Sequence, residues 1–335
     1  MIRSVVLALA LQAALTHAAA AQEPPPVLDM HIHAIGQDRS IAACLPLDPY
    51  PSWDPARPWG ETLAAQQNSP ACADPWVTAS SLEGALRHTV EVMERLNVYG
   101  MATGRPERVA AWVDGAPGRF RSGVGLWVGR EGREIFPDSL RALHEAGRLD
   151  VLGEVAAQYS GIAPGEEAME PYWELATELD LPVGLHMGIG APGVRYLGME
   201  FEARAGNPLA LEEVLIRHPG VRVYVMHAGF PMLGEMLALM WAHPQVYVGV
   251  GAWISLLPRA TAEDYLRRLV EAGMWKRILF GSDADRFPQG IERGIRIIQE
   301  AHFLTEEQKR DILYNNAARF LRLDEETIRR HHGGS

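Results

Sequence analysis

From about residue 150 onward the chain alternates short apolar, β-branched runs with longer stretches of helical periodicity, and this alternation is what most restricts its fold. The runs are Val151–Val155, Leu181–His186, Val221–His227, Val246–Val250 and Arg277–Asp283. Upstream, Leu28–His33, Val98–Thr103 and Ser122–Val128 complete eight candidate strands, each followed by a helix candidate. Helix starts carry their own signals. Asn207 precedes Pro208, and proline suits a first turn, while Ser80 with Glu83 and Thr305 with Gln308 have capping-box spacing. Strands joined by helices pair in parallel, and eight such units in a body of roughly 250 residues exceed what an open doubly wound sheet usually holds. The expected fold is α/β, a (β/α)8 TIM barrel spanning residues 22–335.

One segment breaks the repeat. Residues 37–80, after the first strand, carry Pro46, Pro49, Pro51, Pro55, Pro58, Pro70 and Pro75 together with Trp53, Trp59 and Trp76. A loop of this length is normally functional or disordered, and three tryptophans argue against disorder. It is read as an ordered, lid-like insertion over the mouth of the barrel. It also holds the only two cysteines, Cys44 and Cys72. If they pair, closing that loop stabilises the insertion by roughly 3 kcal/mol on the chain-entropy account.

The first residues read as an address. Met1-Ile2-Arg3 is a short basic start, Val5 to Leu15 an apolar run too short to span a bilayer comfortably, and Ala19-Ala20-Ala21 a small-residue cleavage pattern. The expectation is a signal peptide over residues 1–21, a periplasmic or secreted protein, and no stable membrane anchor after cleavage. Export would permit the cysteines to oxidise. The net charge of -11, from 31 basic and 42 acidic side chains, offers no counterion-release route to nucleic acid. A small-molecule substrate is the expected partner, and self-association into a homo-oligomer is left open.

The chemistry sits at strand ends. In Asp29-Met30-His31-Ile32-His33 the two imidazoles are two residues apart, so both face one way at the carboxyl end of a strand, which in a barrel is the active-site end. Glu154, His186, His227 and Asp283 end four other strands. Six such groups directed at one mouth would be costly to bury without compensation, and neutral imidazoles with carboxylates are what zinc and similar divalent ions take. Gln158, Tyr159, Arg195, Tyr196, Trp253 and Arg286 lie on loops that would ring the mouth, each read first as a loop-packing residue. His88, His144, His218, His243 and His302 fall within or at the ends of helices and receive no role.

The order HxH, His, His, Asp, in the phrases Asp29-Met30-His31-Ile32-His33, Leu185-His186-Met187-Gly188, Met226-His227-Ala228-Gly229, Phe280-Gly281-Ser282-Asp283 and Tyr314-Asn315-Asn316-Ala317-Ala318-Arg319-Phe320-Leu321, resembles the amidohydrolase superfamily. The resemblance is to its amidohydrolase-related branch, which includes aminocarboxymuconate semialdehyde decarboxylase and several lactonases. It implies that His31, His33, His186 and Asp283 hold a divalent metal, with zinc the expected ion and one ion favoured over two. It also implies that Asp283 takes a proton from the attacking water and that His227 stands beside that water. Relatives with two ions often bridge them with a carboxylated lysine on strand four. Only Lys276 and Lys309 are lysines here, and Glu154 ends that strand instead, either as a bridge or as a nearby supporting carboxylate.

The expected activity is therefore a metal-dependent hydrolase acting on an ester, lactone or amide. A non-oxidative decarboxylase using the same site is the alternative. A non-catalytic periplasmic binder of metal or solute is the third reading, and it would call for two lobes around a hinge.

Overall fold

The computed structural model describes residues 24–36 and 38–334, so the leader expected over residues 1–21 lies outside the described residues. Eight parallel strands follow one another around a barrel, each bonded to the next in sequence order. They are β1 (Val27–His33), β2 (Val98–Thr103), β3 (Phe120–Leu126), β4 (Val151–Val155), β5 (Val183–His186), β6 (Val223–Met226), β7 (Tyr247–Gly249) and β8 (Ile278–Leu279). Met30 N–H to Phe280 O, Asp283 N–H to His31 O and His33 N–H to Ala284 O, each at 2.9 Å, join the last strand to the first. The (β/α)8 architecture expected from the alternation is the one observed.

A helix follows every strand: Leu82–Arg95, Pro106–Gly115, Pro137–Glu145, Glu170–Glu178, Glu212–Arg217, Leu233–Ala242, Arg259–Glu271 and Gln289–Glu300. The last shows why they form. Ile291, Gly294, Ile295 and Ile298 recur at helical spacing and are buried, while the charged residues face outward. Pro106 and Pro137 sit in first turns, where no partner is lost. Asn207 and Thr305 cap as expected. The first barrel helix starts one residue later than its spacing suggested, because the Ser81 hydroxyl, and not that of Ser80, accepts from Gly84 N–H.

Two apolar layers hold the barrel. Between sheet and helices lies the larger core, with Trp112, Trp173, Trp253 and Phe280 fully buried. Inside the ring, Leu28, Met30, Met101, Val151, Tyr224, Met226 and Leu279 fill the lumen, and the Tyr224 hydroxyl donates across it to Met30 O at 2.9 Å. Tyr314, Ala317 and Phe320 from the C-terminal segment close the amino-terminal end of that lumen. The lumen being filled, the opposite end of the barrel is the one that presents polar groups.

Strands β5 to β8 are shorter than their apolar runs. The reason is visible at two of their ends, where His227 (φ 60°) and Asp283 (φ 56°) turn into the left-handed region and leave the ladder. Residues 38–80 form an ordered excursion with a helix (Trp59–Asn68) and a two-residue antiparallel ribbon pairing Ala42–Ala43 with Trp76–Val77. Cys44 and Cys72 are bonded. The excursion meets three loops of the mouth: Trp59 Nε1–H donates to Pro192 O at 2.9 Å, Leu47 N–H to Leu256 O at 2.8 Å, and Trp76 lies 6.2 Å from Phe287.

At the far end His331 stacks on Tyr99 at 3.7 Å and bonds the Tyr314 hydroxyl. Burial, followed by the charges of Arg330 and Arg121, lowers its pKa from 6.5 to about 4. A group depressed in this way stabilises the fold fully above its unfolded value and loses that contribution as pH falls from about 6.5 toward 4. His331→Asn should therefore flatten the fall in stability across that window by on the order of 2 kcal/mol, allowing for solvent screening. Denaturant melts at pH 7 and pH 4.5 check this, and parallel losses in both proteins would contradict it. Thiol titration of the unreduced protein should find no free cysteine, and reduction should lower Tm by on the order of 5 °C.

Candidate metal centre

The six strand-end groups converge. His31 Nε2 and His33 Nε2 lie 3.0 Å apart, and Asp283 Oδ1 sits 3.3 Å from the first and 2.9 Å from the second. His186 Nε2 and His227 Nε2 lie 3.9 and 3.6 Å from Glu154 Oε1. The other Glu154 oxygen, Oε2, faces His31 at 3.8 Å and His33 at 3.7 Å. Two groups result, His31 with His33 and Asp283, and Glu154 with His186 and His227, the ligand atoms within each lying within 4.8 Å of one another. Either can hold a metal ion. His186, expected alongside His31, His33 and Asp283, is thus grouped with His227 and Glu154.

Each side chain is aimed by a neighbour. Asp29 Oδ1 accepts from His31 N–H at 3.0 Å and from Ser282 N–H at 2.9 Å, tying the ends of β1 and β8 together; burial raises its pKa to about 6. The Thr103 hydroxyl, at the end of β2, bonds Gly153 O and accepts from Glu154 N–H, fixing where the glutamate leaves β4. Gln158 Nε2 donates to Gly188 O at 3.1 Å and Glu202 O at 3.4 Å, so its Oε1 is the atom that meets His186 Nδ1 at 2.9 Å. That contact places the hydrogen of His186 on Nδ1 and leaves the Nε2 lone pair facing the centre. His227 Nδ1 is held likewise by Gly251 O at 3.2 Å, and its carbonyl accepts from Trp253 Nε1–H at 2.9 Å.

The electrostatics follow from packing two carboxylates among four imidazoles. Burial pushes Glu154 up, but bonds from His227 and His31 outweigh it and hold the carboxylate well below its ordinary range. Burial also works against ionised Asp283, and the charge of His31 with the bond from His33 prevails, keeping it ionised. His33 is opposed by burial and raised by Asp283 to about 9, while burial and the charge of His227 drive His186 down to about 3. Anionic carboxylates among imidazoles that would give up their inward protons to a bound cation are a donor set for a hard or borderline divalent ion. His227 and Asp283 also sit in left-handed backbone that costs a non-glycine residue of order 1 kcal/mol or more, strain typical of functional sites.

Of the other mouth residues, Gln158 and Tyr159 reach the centre, the Tyr159 ring lying 4.7 Å from His186. Arg195 pairs with Glu200 and Arg286 with Asp285, and exposed Tyr196 packs on Trp53 of the excursion. Trp253 does not ring the mouth; it is fully buried and supports His227 from behind. Sequence reasoning missed the roles of Asp29, Thr103 and Gly251. Asp29 stood inside a recognised motif, whereas Thr103 and Gly251 carry no local signal.

The chain belongs to the amidohydrolase family, whose model, described as Amidohydrolase, matches residues 28–323. Protein fluG of Emericella nidulans is 24% identical over 165 residues; the match covers 45% of this chain and 18% of that relative's length. Among solved structures, a probable 2-pyrone-4,6-dicarboxylic acid hydrolase from Acinetobacter baumannii with citric acid bound is 14% identical. It superposes with a TM-score of 0.55 over 89% of this chain and 99% of that one. A 2,6-dihydroxybenzoate decarboxylase from Rhizobium is 13% identical with a TM-score of 0.51, over 90% of this chain and all of the other. The barrel is thus shared with proteins named as hydrolases and as decarboxylases.

If Gln158 fixes His186 as described, Gln158→Leu should release the Nδ1 hydrogen bond, visible in the nitrogen shifts of the imidazole, and weaken zinc affinity by about tenfold or more. Unchanged shifts and affinity would remove Gln158 from that role.

Proposed function

We propose that this amidohydrolase is a metal-dependent hydrolase of an ester, lactone or amide, whose residues would hold two divalent ions, zinc the expected metal, with Glu154 serving both donor groups. The observation that carries the reading is the Glu154 carboxylate, whose Oε2 turns toward His31 and His33 while Oε1 turns toward His186 and His227. Glu154 is thereby shared by both donor groups. The reading departs from the single ion expected from the resemblance. His31, His33 and Asp283 would hold one ion, and His186 and His227 the other. Bound there, such ions polarise a carbonyl and bring the pKa of water toward neutrality.

The chain's own groups supply the rest. Asp283 Oδ1 is engaged by His33, which leaves Oδ2 of a carboxylate that is 18% exposed to take a proton from the attacking water. Gln158 and Gly251 hold His186 and His227 in the tautomer that keeps both Nε2 atoms turned inward. Work outside the cytoplasm is supported by the leader pattern of residues 1–21 and by the Cys44–Cys72 bond.

Metal analysis of protein purified without chelators should give about two ions per chain, and His227→Asn should lower this toward one, since ligands in direct contact dominate affinity. Hydrolysis should fall by roughly two to four powers of ten in the same variant. Full metal retention with only the rate lost would restore a single-ion centre with His227 beside the reacting water. A screen over esters, lactones and amides should yield a new carboxylic acid. Release of carbon dioxide from a carboxylated substrate, with no such cleavage, would replace hydrolase by decarboxylase.

A further inference from the structure

The carboxyl-end rim of β2 and β3 concentrates positive charge on a chain whose net charge is -11. Arg105 and Arg108 open the helix after β2, and Arg130 and Arg133 lie on the turns after β3, so all four stand on the same face as the metal centre. Their only ion pair among the described residues is a loose one, Arg105 to Glu107 at 3.9 Å. Glu134, the nearest carboxylate in sequence to Arg133, is taken by Gly129 N–H and the Tyr172 hydroxyl. Glu131 is exposed on the same turn and pairs with none of them. The Arg133 guanidinium is made less basic by partial burial and by repulsion from Arg130, Arg105 and Arg108.

Arg130 is the informative member. It is half-buried, and its Nη1 rests on the Met199 sulfur, which belongs to the loop after β5, so it reaches from the β3 loop to the β5 loop without meeting an anion. The Arg130 and Arg133 guanidinium carbons lie 5.7 and 5.3 Å from the Trp127 ring centre. From Trp127 a row of rings runs inward: Trp127 to Tyr159 at 5.4 Å, and Tyr159 to His186 at 4.7 Å, with Phe201 alongside Tyr159 at 5.2 Å. Unpaired cations at the outer end of an apolar rail that ends on the centre are built for a ligand with an anion at its far end. Guanidinium forks match carboxylates in shape as well as charge.

We propose that Arg130, Arg133 and Trp127 form a subsite for the distal carboxylate of an elongated substrate, its aliphatic or aromatic middle lying along Tyr159 and Phe201. The inference rests on the hydrolase reading for the placement of the reacting carbonyl at the centre. Two aromatic rings separate that centre from the arginines, so a compact acid would engage one end only. A longer molecule carrying an ester, lactone or amide at one end and a carboxylate at the other would engage both.

The test uses calorimetric binding to the purified protein of the diacids succinate, adipate, suberate and sebacate, each against the monoacid of equal length. The advantage of diacid over monoacid should grow with length to about tenfold, and should shrink at about 0.5 M salt as screening would require. Arg130→Gln and Arg133→Gln should each cut the long-chain advantage to threefold or less. Arg133 is the more exposed of the two, so its variant keeps the test valid if the half-buried Arg130 proves needed for folding. A diacid advantage that is absent, independent of length, or intact in Arg133→Gln would overturn the subsite. The ion content of the same preparation reads the centre separately. An ion-free protein that prefers long diacids supports the rim and loses the centre, while an ion-loaded protein without that preference loses the rim alone.

Discussion

The last strand of the barrel must meet the first, and nearly everything at the mouth depends on that meeting. His33 and Asp283 are 250 residues apart in sequence, yet their side chains lie within hydrogen-bond distance. Three backbone bonds between the ends of β1 and β8 bring them there, and Asp29 reinforces the join by accepting from amides on both strands. The two backbone amides fix the position of the Asp29 carboxyl and offset only part of the desolvation that raises its pKa to about 6. Opening this seam would separate one donor group while leaving the other, on β4 to β6, in place.

The second constraint is electrostatic. Glu154, His31, His186 and His227 are almost fully buried, and none could rest there unpaired at acceptable cost. Their solution is mutual, with each carboxylate stabilised by imidazoles and two of the imidazoles oriented by an oxygen on the outer side. Those outer contacts come from Gln158 and Gly251, which meet the imidazoles at Nδ1, on the side away from Glu154. The geometry is thereby held by residues one layer out, which is where precision in metal sites generally originates. The left-handed backbone at His227 and Asp283 belongs to the same pattern, local strain retained because the surrounding barrel leaves those residues no other position.

Around this centre the loops divide the work. The excursion pinned by Cys44–Cys72 touches the loops after β5, β7 and β8, whereas the rim after β2 and β3 carries the arginines and Trp127. One side of the mouth is therefore walled by tryptophan and proline and the other presents charge. Variation of loops on a constant barrel is how this fold supports different chemistries, and membership of the amidohydrolase family accordingly leaves the substrate to the loops.

The sequence by itself determined the eight-unit alternation, the parallel barrel, and the six strand-end residues His31, His33, Glu154, His186, His227 and Asp283, because period and strand direction are local properties that fix which end a residue reaches. It also marked the ordered excursion through its tryptophans and the helix starts at Asn207 and Thr305, with an error of one residue at Ser81. Only the tertiary structure decided how the six groups divide. Whether His186 stands with Asp283 or with Glu154 depends on the tilt and stagger of strands around a closed ring, which no local pattern encodes. The same holds for Thr103 under Glu154, for Gly251 beneath His227 and for Trp253, read as a mouth residue and found buried behind His227. Each of these contacts joins strands or loops separated in the sequence through a backbone atom, and a backbone atom leaves no trace in the sequence until the chain is folded.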